Sequence, residues 1–301
     1  MLKRVLNRTY QLVLIIVVFL FFTTSCQSKQ VDSSEEFSFV FLGDVQENEE
    51  SNDGYAVFSS LLKSAFSQEE KPEFLVLAGD IVNDGDDEEE WKSFIKAKED
   101  AVGDIDYYTC VGNHDDTKLQ EKYFDISKYD NIIGNNSFYS FDYKNAHFTA
   151  MDSNLMGLPT DESIEWLEND LNNTTKKYKI VLFHHPAYPA VENPKDKLRA
   201  KTIRDVYVPI MEKYYVNLVL GGHQHTYMRT YPLKNGHISE EGIVYLMGVA
   251  SSKNYVNEDF DYIEFSKGGT SVYTLITFKE DEILIKTKDV DGNTIDSFSI
   301  R

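Results

Sequence analysis

The chain has 301 residues, of which 42% are hydrophobic and 13% aromatic, so it can bury a large core and is not globally disordered. Its 50 acidic residues outnumber the 30 basic ones, and the formal net charge of −20 repels nucleic acid and anionic lipid at long range. A small anionic substrate is repelled as well, unless bound cations reverse the local field. The composition therefore argues against a nucleic-acid partner and favours metal ions in any phosphate chemistry.

The first 25 residues have the pattern of a signal peptide. Basic residues precede the apolar run Leu12–Phe22, whose 11 residues are fewer than the roughly 20 that span a bilayer. The next residues, Thr23-Thr24-Ser25-Cys26, resemble a bacterial lipobox, in which the cysteine receives lipid. We therefore predict a signal peptide over 1–25, lipidation of Cys26, and a lipid-anchored protein of the bacterial cell envelope. Plain secretion and an uncleaved apolar anchor are the alternatives.

A polar segment and one domain follow. Residues 26–36 lack aromatic side chains and have the composition of a tether, and a single domain is predicted over 37–301. The chain has two cysteines, so a lipidated Cys26 leaves Cys110 without a disulfide partner. Cys110 lies in an apolar run, which favours a small buried hydrophobic side chain over a nucleophile.

Short apolar runs alternate with helical stretches, which predicts an α/β sheet with helices on its faces. The predicted strands are Phe37–Leu42, Phe74–Ala78, Tyr107–Val111, His147–Met151, Lys179–Phe183 and Leu218–Leu220. The predicted helices are Tyr55–Phe66, Glu88–Lys98, Ser163–Leu171 and Arg199–Lys213. The tail adds β-type runs at Ile243–Val249, Ser271–Phe278 and Glu282–Lys288, which we interpret as a second, mixed sheet.

Five of these strands end in a glycine- or proline-containing turn that carries oxygen or nitrogen ligands. The turns are Gly43-Asp44-Val45-Gln46, Gly79-Asp80, Gly112-Asn113-His114-Asp115, His184-His185-Pro186 and Gly222-His223-Gln224-His225. In open α/β sheets ligands bind at the carboxyl ends of strands, so these turns are expected to converge. Carboxylate, amide and imidazole ligands without thiolates suit divalent Mn, Fe, Zn or Ni.

This series of motifs resembles the calcineurin-like metallophosphoesterase superfamily over essentially all of residues 37–301. The segment Gly222–Pro232, and Phe138–Tyr143 with the following His147-Phe148, are similar to the purple acid phosphatase branch. The resemblance implies a four-layer α/β/β/α sandwich with two mixed sheets.

The resemblance also implies two divalent metal ions and a role for each motif residue. Asp80 would bridge both ions, Asp44 and His225 would bind the first, and the second ion would be bound by Asn113, His184 and His223. A water between the two ions would be deprotonated and would attack the phosphorus atom.

Two positions depart from the family pattern. Gln46 stands where the superfamily commonly has a histidine, and its oxygen either binds metal or contacts it through other groups or water. Asn83 stands where purple acid phosphatases have a metal-binding tyrosine, so the charge-transfer colour is not expected.

Other polar residues near these motifs have expected roles. His114 adjoins the ligand Asn113 and is the candidate acid for the leaving group, oriented by Asp115 or Asn83. His185 is expected behind the ligands or facing substrate. Arg229 is expected to line the mouth of the site and bind phosphate. His147 lies inside a predicted strand and is interpreted as a structural histidine.

The leading function is hydrolysis of a small phosphomonoester, with phosphodiester hydrolysis at the same site as the nearest variant. A surface protein that binds metal without turnover is a second class. A nuclease is disfavoured by the negative charge and by the lack of a Lys/Arg cluster.

Overall fold

The computed structural model describes residues 35–301 apart from 49, 51–54, 116, 130 and 135. From residue 34 onward the chain forms one compact unit. The predicted signal peptide and Cys26 lie outside the described residues.

Strands and helices alternate through most of the described chain. The strands are β1 (Phe37–Leu42), β2 (Leu75–Leu77), β3 (Tyr107–Thr109), β4 (Tyr139–Tyr143), β5 (Ala146–Ala150), β6 (Tyr178–Leu182), β7 (Leu218–Gly221), β8 (Tyr227–Thr230), β9 (Leu233–Lys234), β10 (His237–Ile238), β11 (Val244–Met247), β12 (Ile263–Lys267), β13 (Val272–Phe278), β14 (Ile283–Asp289) and β15 (Thr294–Ile300). The α-helices are α1 (Ala56–Phe66), α2 (Glu88–Val102), α3 (Thr117–Tyr123), α4 (Ser153–Met156), α5 (Asp161–Asn173), α6 (Lys197–Thr202) and α7 (Val208–Lys213).

Two large mixed sheets contain most of these strands. The first has the order β15-β14-β13-β1-β2-β3, with β1, β2 and β3 parallel to one another. The second has the order β12-β8-β11-β7-β6-β5-β4, with β5, β6, β7 and β11 parallel. Strands β9 and β10 form a separate two-stranded ribbon. The predicted ligand motifs follow five of these parallel strands, β1, β2, β3, β6 and β7.

The alternation of side chains along β1 shows how the layers form. Phe39 and Phe41 pack between the sheets with residues such as Phe148 of β5. Val40 and Leu42 point the other way and pack against α1 and α2. The outer face of the second sheet is covered in the same way by α5, α7 and the turn between α6 and α7. The expected four-layer α/β/β/α sandwich is confirmed.

The tail does not form a sheet of its own, contrary to the sequence-based expectation. Strand β11 pairs in parallel with β7 inside the second sheet, whereas β13 pairs antiparallel with β1 and extends the first sheet through β14 and β15. Strand β1 is buried over all six residues, so both its edges need partners. The tail supplies one of them.

The predicted helix Arg199–Lys213 is interrupted. Helices α6 and α7 are separated by a π-helical turn over Ile203–Tyr207. Pro209 is near the start of α7 and lacks the N–H that a continuous α-helix would need there. The wider turn accommodates that missing bond.

Candidate metal centre

The ligand motifs of both sheets meet at one edge of the sandwich. The His223 backbone N–H donates to Asp44 Oδ1 at 2.8 Å, and His184 Nδ1 donates to the carbonyl oxygen of Ala78 at 2.7 Å. Each of these bonds joins a turn of the second sheet to a turn of the first. The predicted convergence of the five turns is therefore present.

The turns hold their side chains with an unusual backbone. Nine non-glycine residues in the described part of the chain have a positive φ, and four of them are Asp44, Asp80, His223 and His225. Such conformations are unfavourable by about 1–3 kcal/mol each and cluster at functional sites. The backbone also approaches closely at Gly112, where a Cβ would lie 2.1 Å from the Asp80 nitrogen. A side chain there would displace Asp80.

Four ligand atoms surround the second of the two predicted metal positions. Asn113 Oδ1 lies 2.8 Å from His223 Nδ1 and 3.1 Å from His184 Nε2, and the two imidazole nitrogens are 3.2 Å apart. Asp80 Oδ2 is 3.1 Å from His184 Nε2. Ligands about 2.0–2.2 Å from one ion would lie at about this separation from each other.

In His184 and His223, the ring nitrogen that points away from the other ligands makes a hydrogen bond. That bond determines that the ring nitrogen facing the other ligands carries the lone pair. The Nδ1–H of His184 donates to Ala78, which leaves Nε2 as its inner, metal-facing atom. His223 Nε2 lies 2.8 Å from Asp196 Oδ2, which leaves Nδ1 as its inner atom. Acceptor lone pairs that face each other at this distance are stabilised by a cation between them.

A second group of ligands surrounds Asp44. Its side chain is fully buried, and Oδ2 has no hydrogen-bond partner among the described residues. Gln46 Oε1 is also buried without a partner in the same part of the chain, while Gln46 Nε2 reaches Asn83 Oδ1 at 3.4 Å. His225 turns Nε2 to within 3.9 Å of Asp44 Oδ1 and Nδ1 toward the carbonyl of Lys253. Buried oxygens without partners are unfavourable unless they bind a cation, so these residues fit a divalent metal.

Electrostatics link the two groups of ligands through Asp80. Burial raises the pKa of Asp44 to about 8, and the neighbouring Asp80 carboxylate adds to that effect while His184 opposes it. Burial lowers the pKa of His184, but the charge and hydrogen bond of Asp80 outweigh it and raise that pKa to about 9. Metal ions compete with protons for these atoms, so metal binding here releases protons.

The Asp80 carboxylate contacts the residues His184 and His114. Its Oδ2 lies beside His184, and its Oδ1 accepts a hydrogen bond from the His114 backbone N–H at 3.0 Å. Burial raises the pKa of Asp80, but the His184 charge and the hydrogen bonds from His184 and His114 lower it overall. The carboxylate form that a metal ion needs is thereby favoured.

His114 lies at the exposed rim of the centre. Its Nδ1 is 2.7 Å from the Asn83 carbonyl oxygen, which leaves Nε2 as the ring atom available to exchange a proton. Asp115 does not orient this ring as its carboxylate accepts backbone hydrogen bonds from Ile81 and Gly112. Of the two suggested orienting groups, Asn83 makes the contact, through its backbone.

His185 lies beside His184 and His223 and is buried. Its Nδ1 is 2.8 Å from Ser153 Oγ, and its ring centroid is 4.2 Å from that of His223. Burial, and then the charges of His184, His223 and Arg199, lower the pKa of His185, so its ring is neutral at physiological pH. The structure therefore places His185 behind the ligands.

Arg229 does not join the centre, and the expectation that it binds substrate is corrected. It lies in β8 between the sheets, where Nε donates to Asp296 Oδ2 at 2.7 Å and Nη1 contacts Glu264. The side chain is 8% exposed and its charge is already paired. Although Arg229 follows the His-x-His motif closely in sequence, it belongs to a strand, and its side chain points between the sheets and not toward the ligand turns.

Asp196 also lies at the centre, although no sequence motif indicated it. Asp196 accepts from His223 and lies 3.5 Å from Arg199 Nη1, and with His185 and His223 it forms a group whose ligand atoms lie within 4.8 Å of one another. No sequence signal separates Asp196 from the other acidic residues, because its contact with His223 spans 27 positions of the chain.

The chain matches the profile of the calcineurin-like phosphoesterases over residues 37–227, which is well over half of its length. It belongs to this family. A probable cyclic nucleotide phosphodiesterase of Coxiella burnetii is 26% identical over 54% of the chain and 64% of the relative. A probable glycerophosphodiester phosphodiesterase of Arcobacter nitrofigilis is 28% identical over 52% of the chain and 57% of the relative. The matches thus span less than two thirds of each relative's length.

A solved structure supports the fold assignment. The purple acid phosphatase from yellow lupin seeds aligns with a TM-score of 0.70 at 16% identity, covering 88% of this chain and 54% of the lupin chain. The family assignment implies divalent metal binding, which the ligand groups around Asp44 and Asp80 fit.

Two further findings concern membranes and cysteine. In the described residues, no helix has the length and apolar character needed to cross a bilayer. Cys110 is buried, and burial raises the pKa of its thiol, as expected for a structural side chain.

Proposed function

We propose that this protein is a dinuclear metal-dependent phosphoesterase that hydrolyses small phosphomonoesters. The observation that carries the proposal is the convergence of Asn113, His184 and His223 within 3.2 Å, beside the Asp80 carboxylate and the unpartnered oxygens of Asp44 and Gln46. Asn113, His184 and His223 would hold one ion, Asp44, Gln46 and His225 the other, and Asp80 both.

Each part of the site has a task in this reaction. When bound, the two ions supply an activated water for attack on phosphorus and offset the charge of the phosphate. His114 Nε2 donates a proton to the leaving oxygen, and the Asn83 carbonyl holds the ring in that orientation through Nδ1. Asp196 fixes the ring of His223 through Nε2.

The surroundings of the centre provide space for the organic part of a substrate. A cavity of about 490 Å³ reaches Asp196 and Gln224, the neighbours of His223 in space and sequence, and its walls include the rings of Tyr188, Phe260 and Tyr262. On the side of His225, the partly exposed ring of Tyr255 lies 5.4 Å from the His225 ring. An ester with a bulky alcohol can therefore approach from either side.

Phosphodiester hydrolysis at the same centre is the second candidate. It is favoured by the two relatives described above, a probable cyclic nucleotide phosphodiesterase and a probable glycerophosphodiester phosphodiesterase. Metal ligands alone do not distinguish the two ester classes, because both esters offer terminal phosphoryl oxygens that the ions would bind.

A substrate panel tests these candidates. The full chain is purified, stripped with a chelator, reloaded with Mn, Zn or Fe, and assayed on nitrophenyl phosphate, bis-nitrophenyl phosphate and an alkyl phosphate. We expect turnover only after metal is restored, two ions per chain by elemental analysis, and higher kcat/KM on the monoesters. A diester preference would support the second candidate. Full metal occupancy without turnover of any ester would leave only a metal-binding protein.

We also propose that lipid on Cys26 anchors the protein in the bacterial cell envelope, on the evidence of the lipobox-like residues 23–26. Cys26→Ser should leave activity unchanged but remove the protein from the detergent phase, with Cys110→Ser as the matched control. A Cys26→Ser protein that still fractionates with membranes would show that the uncleaved apolar segment is the anchor.

A further inference from the structure

Arg199 is an arginine whose donors are largely unused. Its Nη1 lies 3.5 Å from Asp196 Oδ1, the outer limit of a hydrogen bond, and its Nε is buried without a partner in the described part of the chain. The side chain is 29% exposed. Its side chain lies beside Gly157, because Cγ and Nε are 3.5 Å from the point where a Cβ on that glycine would stand.

The two residues beside Arg199, Asp196 and Gly157, both lie close to residues of the metal centre. Asp196, beneath the guanidinium, accepts a hydrogen bond from the metal-facing residue His223 at 2.8 Å. Gly157 directly follows α4, whose first residue, Ser153, contacts His185. The guanidinium is thus one carboxylate away from a metal ligand.

The contrast with Arg229 shows what is unusual about Arg199. Arg229 donates Nε and Nη2 to Asp296 and Nη1 to Glu264, so its charge and its planar fork are both engaged. Among the described residues, Arg199 has one long hydrogen bond, to Asp196. A partly exposed guanidinium beside a single carboxylate, with donors left over, is suited to an anion that arrives from solvent.

We propose that Arg199 binds the phosphoryl group of the substrate and selects dianionic phosphomonoesters over singly charged phosphodiesters. This inference rests on the proposed function, since it assigns the substrate class of the same centre. A monoester has three terminal oxygens and, above its second pKa of about 6, two charges. A diester has two terminal oxygens and one charge, so it lacks one acceptor for the arginine fork.

The test compares ester classes in metal-loaded, full-length variants. In Arg199→Ala, kcat/KM for nitrophenyl phosphate should fall about 10- to 100-fold, the usual effect of removing hydrogen bonds to a charged group. For bis-nitrophenyl phosphate it should fall less than about 3-fold. Arg199→Lys should recover part of the loss, because it restores the charge without the fork. Lys201→Ala removes one positive charge from the exposed face of the same helix and should leave the ratio unchanged.

A binding measurement separates this inference from the proposed function. Inorganic phosphate should bind the metal-loaded wild type about 10-fold more tightly than Arg199→Ala, and dimethyl phosphate should bind both equally. If the wild type turns over no ester, the proposed function fails, and this binding difference still decides the role of Arg199. The inference would be overturned if Arg199→Ala lost kcat/KM equally on both ester classes, kept the wild-type preference for monoesters, or lost metal. In each case Arg199 would act only through Asp196 and His223.

Discussion

The cluster around His147 and the metal centre around His184 both bury a histidine against aspartate, and they differ in how completely their polar atoms are paired. Asp170 Oδ2 accepts from His147 and Thr149, and Asp170 Oδ1 accepts from Asn131 and Ser140. His147 Nδ1 contacts Asp142 at 2.7 Å. At the metal centre, by contrast, buried oxygens of Asp44 and Gln46 have no partner in the part of the chain that the structure describes.

This difference separates a structural cluster from a ligand cluster. A buried polar group that is fully hydrogen-bonded holds the fold together, whereas one without a partner is unfavourable unless an ion or ligand completes it. His147 is therefore a structural histidine, as interpreted from the sequence, even though a cavity of about 520 Å³ lies beside it. Substitutions in the two clusters should have opposite effects on activity and stability.

The largest effect on activity is expected for Asp80→Ala. It removes the carboxylate that we propose bridges the two ions, so metal content and turnover should both fall, turnover by more than about 100-fold. Even groups that only contact a metal ligand contribute about 10- to 100-fold. Elemental analysis and nitrophenyl phosphate assays measure these quantities, with Asp161→Ala on the exposed start of α5 as control. Two ions retained at full occupancy would exclude Asp80 as the bridge.

His114→Ala should keep both metal ions and lose catalysis in a way that depends on the leaving group. General acid catalysis contributes about 10²–10⁴-fold. The variant should lose about that much on an alkyl phosphate and far less on nitrophenyl phosphate, whose leaving group hardly needs a proton. His237→Ala, an exposed histidine of β10, is the control. Equal losses on both substrates would mean that His114 acts on the phosphoryl oxygens, and loss of one ion would make it a ligand.

A smaller effect is expected for Asp196→Asn. The substitution removes the charge that orients His223, so metal affinity should weaken about 10- to 100-fold at one of the two positions. Metal titration by calorimetry would resolve the two steps, and Asp205→Asn on the exposed side of the same segment is the control. If both positions keep wild-type affinity, Asp196 does not position the histidine.

The smallest effect on activity is expected in the hydrogen-bonded cluster around His147. Asp170→Asn should leave metal content and kcat unchanged at 25 °C but lower the free energy of unfolding by about 2–3 kcal/mol, since the hydrogen bonds lost involve a charged, buried group. Denaturant unfolding measures this change, with the exposed Glu165→Gln of the same helix as control. A loss of metal in Asp170→Asn would remove the distinction between the clusters.

The destabilisation by Asp170→Asn should also depend on pH. Burial lowers the pKa of His147, but Asp170 and Asp142 outweigh it and raise the pKa above the ordinary value of about 6.5. Protonated His147 therefore stabilises the fold fully below pH 6.5, and this contribution is lost as pH rises through the raised pKa. The difference in free energy of unfolding between wild type and Asp170→Asn should therefore become smaller as pH rises over that interval. A constant difference would mean that His147 is neutral in the native protein.

Much of the fold and the metal centre could be predicted from the sequence. Strand β1 was predicted with the bounds observed, because five apolar residues interrupted only by Ser38 and followed by Gly43 indicate a buried strand and a turn. The turns that follow β1, β2, β3, β6 and β7 carry the ligands, and parallel strands place such turns at one edge. The seven predicted metal ligands are grouped there, with His114 beside them.

Only the tertiary structure decided that Arg229 lies between the sheets and which sheet each strand of the tail joins. Side-chain period, turn chemistry and motif order are local properties, so the sequence by itself determined the strands, their turns and the type of ligand at each. Contacts such as Asp196 with His223, Arg229 with Asp296 and β13 with β1 join residues 27 to 241 positions apart. These contacts depend on how the two sheets pair and pack. Strand β1, for example, is buried on both faces and paired on both edges, and the segments that cover it come from distant parts of the chain.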